Sequence, residues 1–176
     1  MYGDSMLWIQ AIGLIGFAFV ILSFWFKEKK QLIFMQIIAN VFLSIHYYLL
    51  GAMSGGLICL ITVIRNMFLY NKEDKKTIIF YGIIFSIIFI LVGMLMYDGF
   101  VSLIPIIATI FYTYLLLKED PNDIRLGNVL VSFMWMIYNL FVNSYIGIIN
   151  EAILIITNAA AYQKYKKVNK KTKSKR

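Results

Sequence analysis

The chain of 176 residues is 61% apolar and only 15% charged, far from the composition of a globular surface, and its formal net charge is +8. All but one of its seventeen Lys and Arg fall in four short clusters, leaving charge-free runs at 5–26, 31–64, 77–97, 99–117 and 126–150. Runs of that length match membrane spans, so a soluble enzyme, a disordered chain and a nucleic-acid-binding domain are disfavoured and the positive charge reads as membrane topology.

In hydrocarbon each run has to satisfy its backbone hydrogen bonds internally, so about 20 residues form one helix across roughly 30 Å. The first helix is predicted over 6–26. Asp4 precedes it where a signal peptide needs positive charge, and no small-residue cleavage pattern follows, so this helix is expected to be retained. The run 31–64 is too long for one span, and Gly51, Ser54, Gly55 and Gly56 offer the turn between helices at 32–50 and 53–71. Further helices are predicted at 77–97, 100–117, 126–142 and 145–165, the last two separated at Asn143 and Ser144.

Lys27, Lys29 and Lys30, then Lys72, Lys75 and Lys76, then Lys118 and Arg125, and finally the cluster from Lys164 to Arg176 occupy alternate connections. The opposite side carries Asp4, the Gly51 turn, Asp98 and the Asn143 turn, with no Lys or Arg. The positive-inside rule then places the N-terminus outside and the C-terminus inside, with 167–176 as a basic cytoplasmic tail drawn to anionic lipid.

Shifting the chain by 92 residues aligns helices one to three with five to seven without a gap. His46 and Tyr47 fall on Tyr138 and Asn139, Gly55 on Gly147, Arg65 and Asn66 on Thr157 and Asn158, and Tyr70 on Tyr162. Four helices separate equivalent points, so the two halves have the same orientation, a parallel repeat about an axis along the membrane normal. The expected fold is all-α and integral to the membrane. Its seven transmembrane helices form two parallel three-helix bundles, 6–71 and 100–166, joined by a linking helix at 77–97 in a 3+1+3 plan.

The stretch 43–51, reading Leu-Ser-Ile-His-Tyr-Tyr-Leu-Leu-Gly, is followed by small residues and then by Arg65 near the end of the next helix. Together with Gln36 and the segment 23–30, Ser-Phe-Trp-Phe-Lys-Glu-Lys-Lys, it resembles the bacterial inner-membrane YgjV family. That resemblance implies a multi-pass protein of the bacterial inner (cytoplasmic) membrane. More remotely, the 3+1+3 plan resembles the sugar-transporting SWEET proteins and the PQ-loop and PnuC vitamin-transporter groups. In SWEET proteins an asparagine on the third helix of each bundle faces the central site, and Asn66 and Asn158 occupy the matching place. The chain departs from these groups in having one intramembrane proline, Pro105, and no Pro-Gln pair, and Trp8, Trp25 and Trp135 form no evident substrate clamp.

Arg65 is the only basic residue inside a span and Glu151 the only acid. Either costs several kcal/mol in hydrocarbon unless it pairs, snorkels or lines water. In repeat register Glu151 matches Cys59, six residues before Arg65, a depth difference of about 9 Å that strains a direct pair. Arg65 can instead snorkel toward the cytoplasmic end or meet a polar or anionic solute. Asn66 and Asn158 sit at equivalent depths, and Glu151 lies seven residues before Asn158 on the same helical face. With Asn139 these three form the expected substrate-binding set. His46 and Arg65 are candidates for proton coupling or for purely structural hydrogen bonding. Gln10, Gln36, Asn40 and Asn150 add further intramembrane amides and imply a polar internal path.

Cys59 is the single cysteine, so no intrachain disulfide forms. Neither a phosphate-binding glycine loop nor a His-Glu-x-x-His motif occurs, and no enzyme activity, metal or cofactor is expected. The expected function is transport or facilitated passage of a small polar solute (a sugar, nucleoside or vitamin-like molecule), with the lipid bilayer as surroundings, no nucleic-acid partner, and homo-oligomer formation left open. The alternative is a non-transporting assembly or regulatory partner in which Arg65 and Glu151 hold helices together.

Overall fold

The computed structural model describes residues 2–23, 26, 29–72, 74–115 and 121–173. Trp25, Lys27, Lys118, the expected helix ends at 24–25 and 116–117, and the last three residues of the basic tail lie outside the described residues. Among the described residues seven α-helices follow one another: α1 (Tyr2–Ser23), α2 (Lys29–Leu49), α3 (Met53–Leu69), α4 (Lys75–Leu95), α5 (Ile104–Leu115), α6 (Pro121–Phe141) and α7 (Tyr145–Lys173).

Local chemistry explains where these bounds differ from the expected ones. A short 3-10 turn, Phe100–Leu103, precedes α5. Pro105 is the second residue of α5 and cannot donate to the carbonyl of residue 101, against which its ring would also press, so α geometry begins only at 104. The helix α6 is already formed at Pro121, five residues before the expected start. The helix α7 continues through the first part of the basic segment to Lys173, since lysines near a helix C-terminus suit its dipole.

The N-terminus of α4 is capped by Asp74, whose carboxylate accepts from the Thr77 amide at 2.8 Å and from its hydroxyl at 2.9 Å. Those two bonds hold the Asp74 carboxyl below its ordinary pKa. A depressed folded pKa gives a contribution that is fully present above the unfolded value, near pH 4, and is lost as pH falls through the folded one. Asp74→Ala is expected to speed hydrogen exchange at the Thr77 and Ile78 amides at pH 7 and to leave no further change between pH 4 and pH 2. In the parent chain the same amides should lose protection across that interval.

Among the described residues three helical segments are long and apolar enough to cross a membrane by themselves, Ser5–Ser23, Lys75–Leu95 and Tyr145–Lys164, while Ile33–Leu49, Met53–Leu69 and Phe100–Leu115 are shorter apolar stretches. The expectation of seven spans thus meets three helices that satisfy length and composition alone. The others are shorter or, like α6, carry inward polar residues such as Asn128, Ser132 and Asn139. In packing, α2 stands between α1 and α3, and α6 between α5 and α7. Contacts of α1 with α7 and of α3 with α5 close the arrangement, and α4 lies against α3 and α5.

Helix ends recur at the expected offset of 92. Residues 49 and 53, which end α2 and start α3, correspond to 141 and 145, which end α6 and start α7. The two turns are alike: Gly51 has φ 75° and its counterpart Asn143 φ 56°, a conformation asparagine tolerates. The Ala52 amide bonds the Tyr47 carbonyl at 2.9 Å, as the Ser144 amide bonds the Asn139 carbonyl at 3.0 Å.

Candidate functional site

In an apolar solvent, polar side chains gain nothing from facing outward, so they collect between helices or bond to their own helix. Thr62, Ser86, Thr113 and Thr157 return their hydroxyls to the carbonyl four residues back. Most of the other buried polar groups gather at two places, a cavity between the helices and a girdle at the two corresponding turns.

The cavity has a volume of about 130 Å³. Its polar wall comprises Gln36 and Asn40 of α2, Thr62 and Arg65 of α3, Thr109 and Tyr112 of α5, Asn128 and Ser132 of α6, and Asn150 and Glu151 of α7. Phe17, Val20, Leu43, Tyr47 and Trp135 supply much of the apolar part. Most of the lining falls into pairs 92 residues apart: Phe17 with Thr109, Val20 with Tyr112, Gln36 with Asn128, Asn40 with Ser132, Leu43 with Trp135, Cys59 with Glu151, and Thr62 with Leu154. The cavity is thus lined largely by positions that correspond at the expected offset. One bond inside it joins α2 to α5, Gln36 Nε2 donating to the Tyr112 hydroxyl at 3.3 Å.

Arg65 is 1% exposed. Its Nε and Nη2 donate to Asn66 Oδ1 at 3.3 and 3.1 Å, and its Nη1 to Thr113 Oγ1 at 2.6 Å. Among the described residues, therefore, the guanidinium bonds only neutral oxygens. Glu151 is 7% exposed and accepts from the Asn150 amide at 3.3 Å, with the Ser132 hydroxyl as a second partner. Arg65 and Glu151 face one cavity without bonding each other, and Arg65 is enclosed by protein rather than extended to an interface.

Of the expected substrate-binding set, Glu151 lines the cavity and Asn66, Asn139 and Asn158 do not. Asn66 stands behind Arg65, its oxygen holding the guanidinium and its Nδ2 without a partner. Asn158 donates to the Leu154 carbonyl of its own helix at 2.8 Å. Equivalent depth does not make these two asparagines equivalent, because Asn66 has an arginine beside it where Asn158 has Thr157. Sequence reasoning missed Thr62, Thr109, Tyr112, Asn128 and Ser132. Two were within reach: Gln36 aligned with Asn128 and Asn40 with Ser132 are polar positions repeated at the offset already found.

The girdle accounts for His46 and Asn139. Asn139 Oδ1 accepts from the Tyr47 hydroxyl at 2.7 Å, a bond between α6 and α2 at positions that are themselves 92 apart. The Tyr138 hydroxyl lies 2.9 Å from the Gly55 amide and 3.1 Å from Ser54 Oγ, capping α3, whose own N-cap residue Ala52 offers no side-chain bond. At the aligned position His46 reaches the other turn, Nε2 lying 2.8 Å from Ser144 Oγ and Nδ1 2.8 Å from the Ile9 carbonyl. A carbonyl only accepts, so Nδ1 carries a proton and, in the neutral ring, Nε2 accepts from Ser144. Gln10 of α1 completes this end, accepting from the Ile146 amide at 3.2 Å and donating to the Asn143 carbonyl at 3.0 Å. His46→Ala removes two buried bonds and a ring packed against Phe17, and is expected to cost roughly 2–4 kcal/mol by thermal unfolding while leaving ligand affinity within about twofold. A large affinity loss at unchanged stability would instead assign His46 to the solute path.

Two aromatic rings of the cavity wall, Tyr47 and Trp135, stack at 5.8 Å, and Tyr138 meets both edge-on at 5.7 Å. A family model described as a bacterial inner membrane protein, Imp-YgjV, matches residues 7–169. No curated protein and no solved structure matches the chain.

Proposed function

The chain belongs to the Imp-YgjV family of bacterial inner membrane proteins, and from that premise we propose that it is a non-enzymatic facilitator or transporter of a small polar solute. The carrying observation is the cavity whose lining pairs at an offset of 92 residues. In this reading α1–α3 and α5–α7 are two equivalent three-helix units, α4 links them, and all seven helices span. Among the six helices other than α4, exchanging α1 with α5, α2 with α6 and α3 with α7 leaves the pairs that pack together unchanged, which supports the equivalence, while α4 lies against α3 and α5. The basic clusters put the N-terminus outside and the C-terminus inside.

Rocking of one unit against the other would open the cavity first to one face and then to the other. The Tyr47–Asn139 bond and the two reciprocal turn contacts lie on the surface between the units and form the natural outer closure. Glu151 and Arg65 contact the solute, Asn66 orients Arg65, and Gln36, Asn40 and Asn150 offer neutral hydrogen bonds. A docking partner would instead present its polar residues outward. Here Arg65, Glu151 and most of the intramembrane amides are interior, while the outer faces carry Leu, Ile, Phe and Met.

Cys59, the sole cysteine, is a built-in reporter because it lines the cavity at 3% exposure. In vesicles holding the full chain, a small charged thiosulfonate is expected to label it from either face, and a bound solute should slow the reaction. Labelling that occurs only after denaturation, together with no solute flux, would remove the transport reading.

A further inference from the structure

The cavity wall repeats between the halves, but its charge does not. Thr157 stands at the position of Arg65 in the second half, and Cys59 at the position of Glu151 in the first. One cationic and one acidic group are thus contributed by α3 and α7, which pack on different neighbours and meet across the cavity. In repeat register the two positions differ by six residues, about 9 Å along a helix axis.

Each end retains bonding capacity. A guanidinium has five N–H donors, and the three bonds to Asn66 and Thr113 leave two. At the other end the Glu151 carboxylate lies beside Asn150, whose Oδ1 is buried without a partner. Isolated charges are costly inside a membrane. Two unlike charges held apart on the walls of one cavity are compensated together by a single ligand carrying the opposite charges in matching order. Guanidinium pairs with a carboxylate through two parallel bonds, and a carboxylate with an amide oxygen suits the three donors of an ammonium group. The volume of about 130 Å³ is close to the roughly 150 Å³ that admits a benzene-sized molecule.

Building on the solute-site reading above, we infer that the solute is a small zwitterion, an amino-carboxylic acid whose carboxylate binds Arg65 and whose ammonium lies between Glu151 and Asn150. A neutral sugar or nucleoside of the kind expected from sequence would leave both charges uncompensated.

Equilibrium dialysis of the full chain in detergent tests this with glycine, β-alanine and γ-aminobutyrate. Each is compared with the carboxylate and the amine of matching length and with neutral glycolamide. At least one zwitterion should bind about tenfold or more tightly than either half-analogue, and the best of the three reads the distance between the charges. Glu151→Gln should reduce that preference while leaving carboxylate binding within about twofold, and Arg65→Lys should weaken zwitterion and carboxylate alike. Half-analogues or glycolamide binding as tightly as every zwitterion, or no zwitterion binding at all, would overturn the inference; both readouts use the parent chain and do not depend on a variant folding. Zwitterion binding without flux in vesicles would uphold the ligand class and overturn transport, so the two readings fail separately.

Discussion

Replacing Arg65 by methionine is expected to leave the thermal midpoint unchanged or to raise it, while lowering solute affinity by at least a factor of about one hundred. The two effects separate because Arg65 is buried without an acid among the described residues. A charged side chain at membrane depth costs about 2.5–3.5 kcal/mol on insertion scales. Removing it strands the Asn66 amide, at roughly 1–3 kcal/mol for an unpartnered polar group, whereas Thr113 keeps its bond to the Thr109 carbonyl at 2.8 Å. Methionine, long and flexible, fills the vacated path. The sum is neutral to stabilising. Affinity falls because the two remaining N–H donors would each give a charge-assisted bond of roughly 1.5–3 kcal/mol to a ligand, and 1.4 kcal/mol is a factor of ten. Should thermal unfolding instead show a loss of more than about 2 kcal/mol, Arg65 holds the helices together and the assembly-partner alternative gains.

Gly55→Ala is expected to destabilise the chain by roughly 1–3 kcal/mol through one contact. A Cβ there would lie 2.6 Å from the Tyr138 hydroxyl oxygen and 2.7 Å from its Cε1. The ring cannot retreat, since Tyr138 is buried against Tyr47 and Trp135. Overpacking of that kind costs about 1–3 kcal/mol, and the lost bond to the α3 amide about 1 more, set against up to about 1 gained from alanine's helix propensity. Tyr138→Phe removes the nearest atom, so the double variant should be less destabilised than the sum of the singles by about 1 kcal/mol or more. Additive single effects would mean that the glycine is not there to admit the tyrosine.

Helix positions, the turn at Gly51, the break at Asn143 and the offset of 92 residues were all legible in the sequence, because charge-free length and turn residues do not depend on packing. The later onset of α5 came from a proline visible in the sequence, since Pro105 delays α geometry. The candidate site was legible only in part. Composition alone made Arg65 and Glu151 conspicuous as the lone intramembrane charges. It could not say that they face one cavity without pairing, nor that Asn158 turns to its own helix while Asn66 serves Arg65.

The physical reason lies in the solvent. In water a helix declares its buried face by where the apolar residues fall, but in a chain that is apolar on every side that signal vanishes, and the polar residues scattered along it do not state their direction. The amino-acid sequence by itself determined that this is an all-helical membrane protein. Only the packing of α2 against α1 and α3, and of α6 against α5 and α7, decided which polar groups look into the cavity, which cap the turns, and which bond back to their own helix.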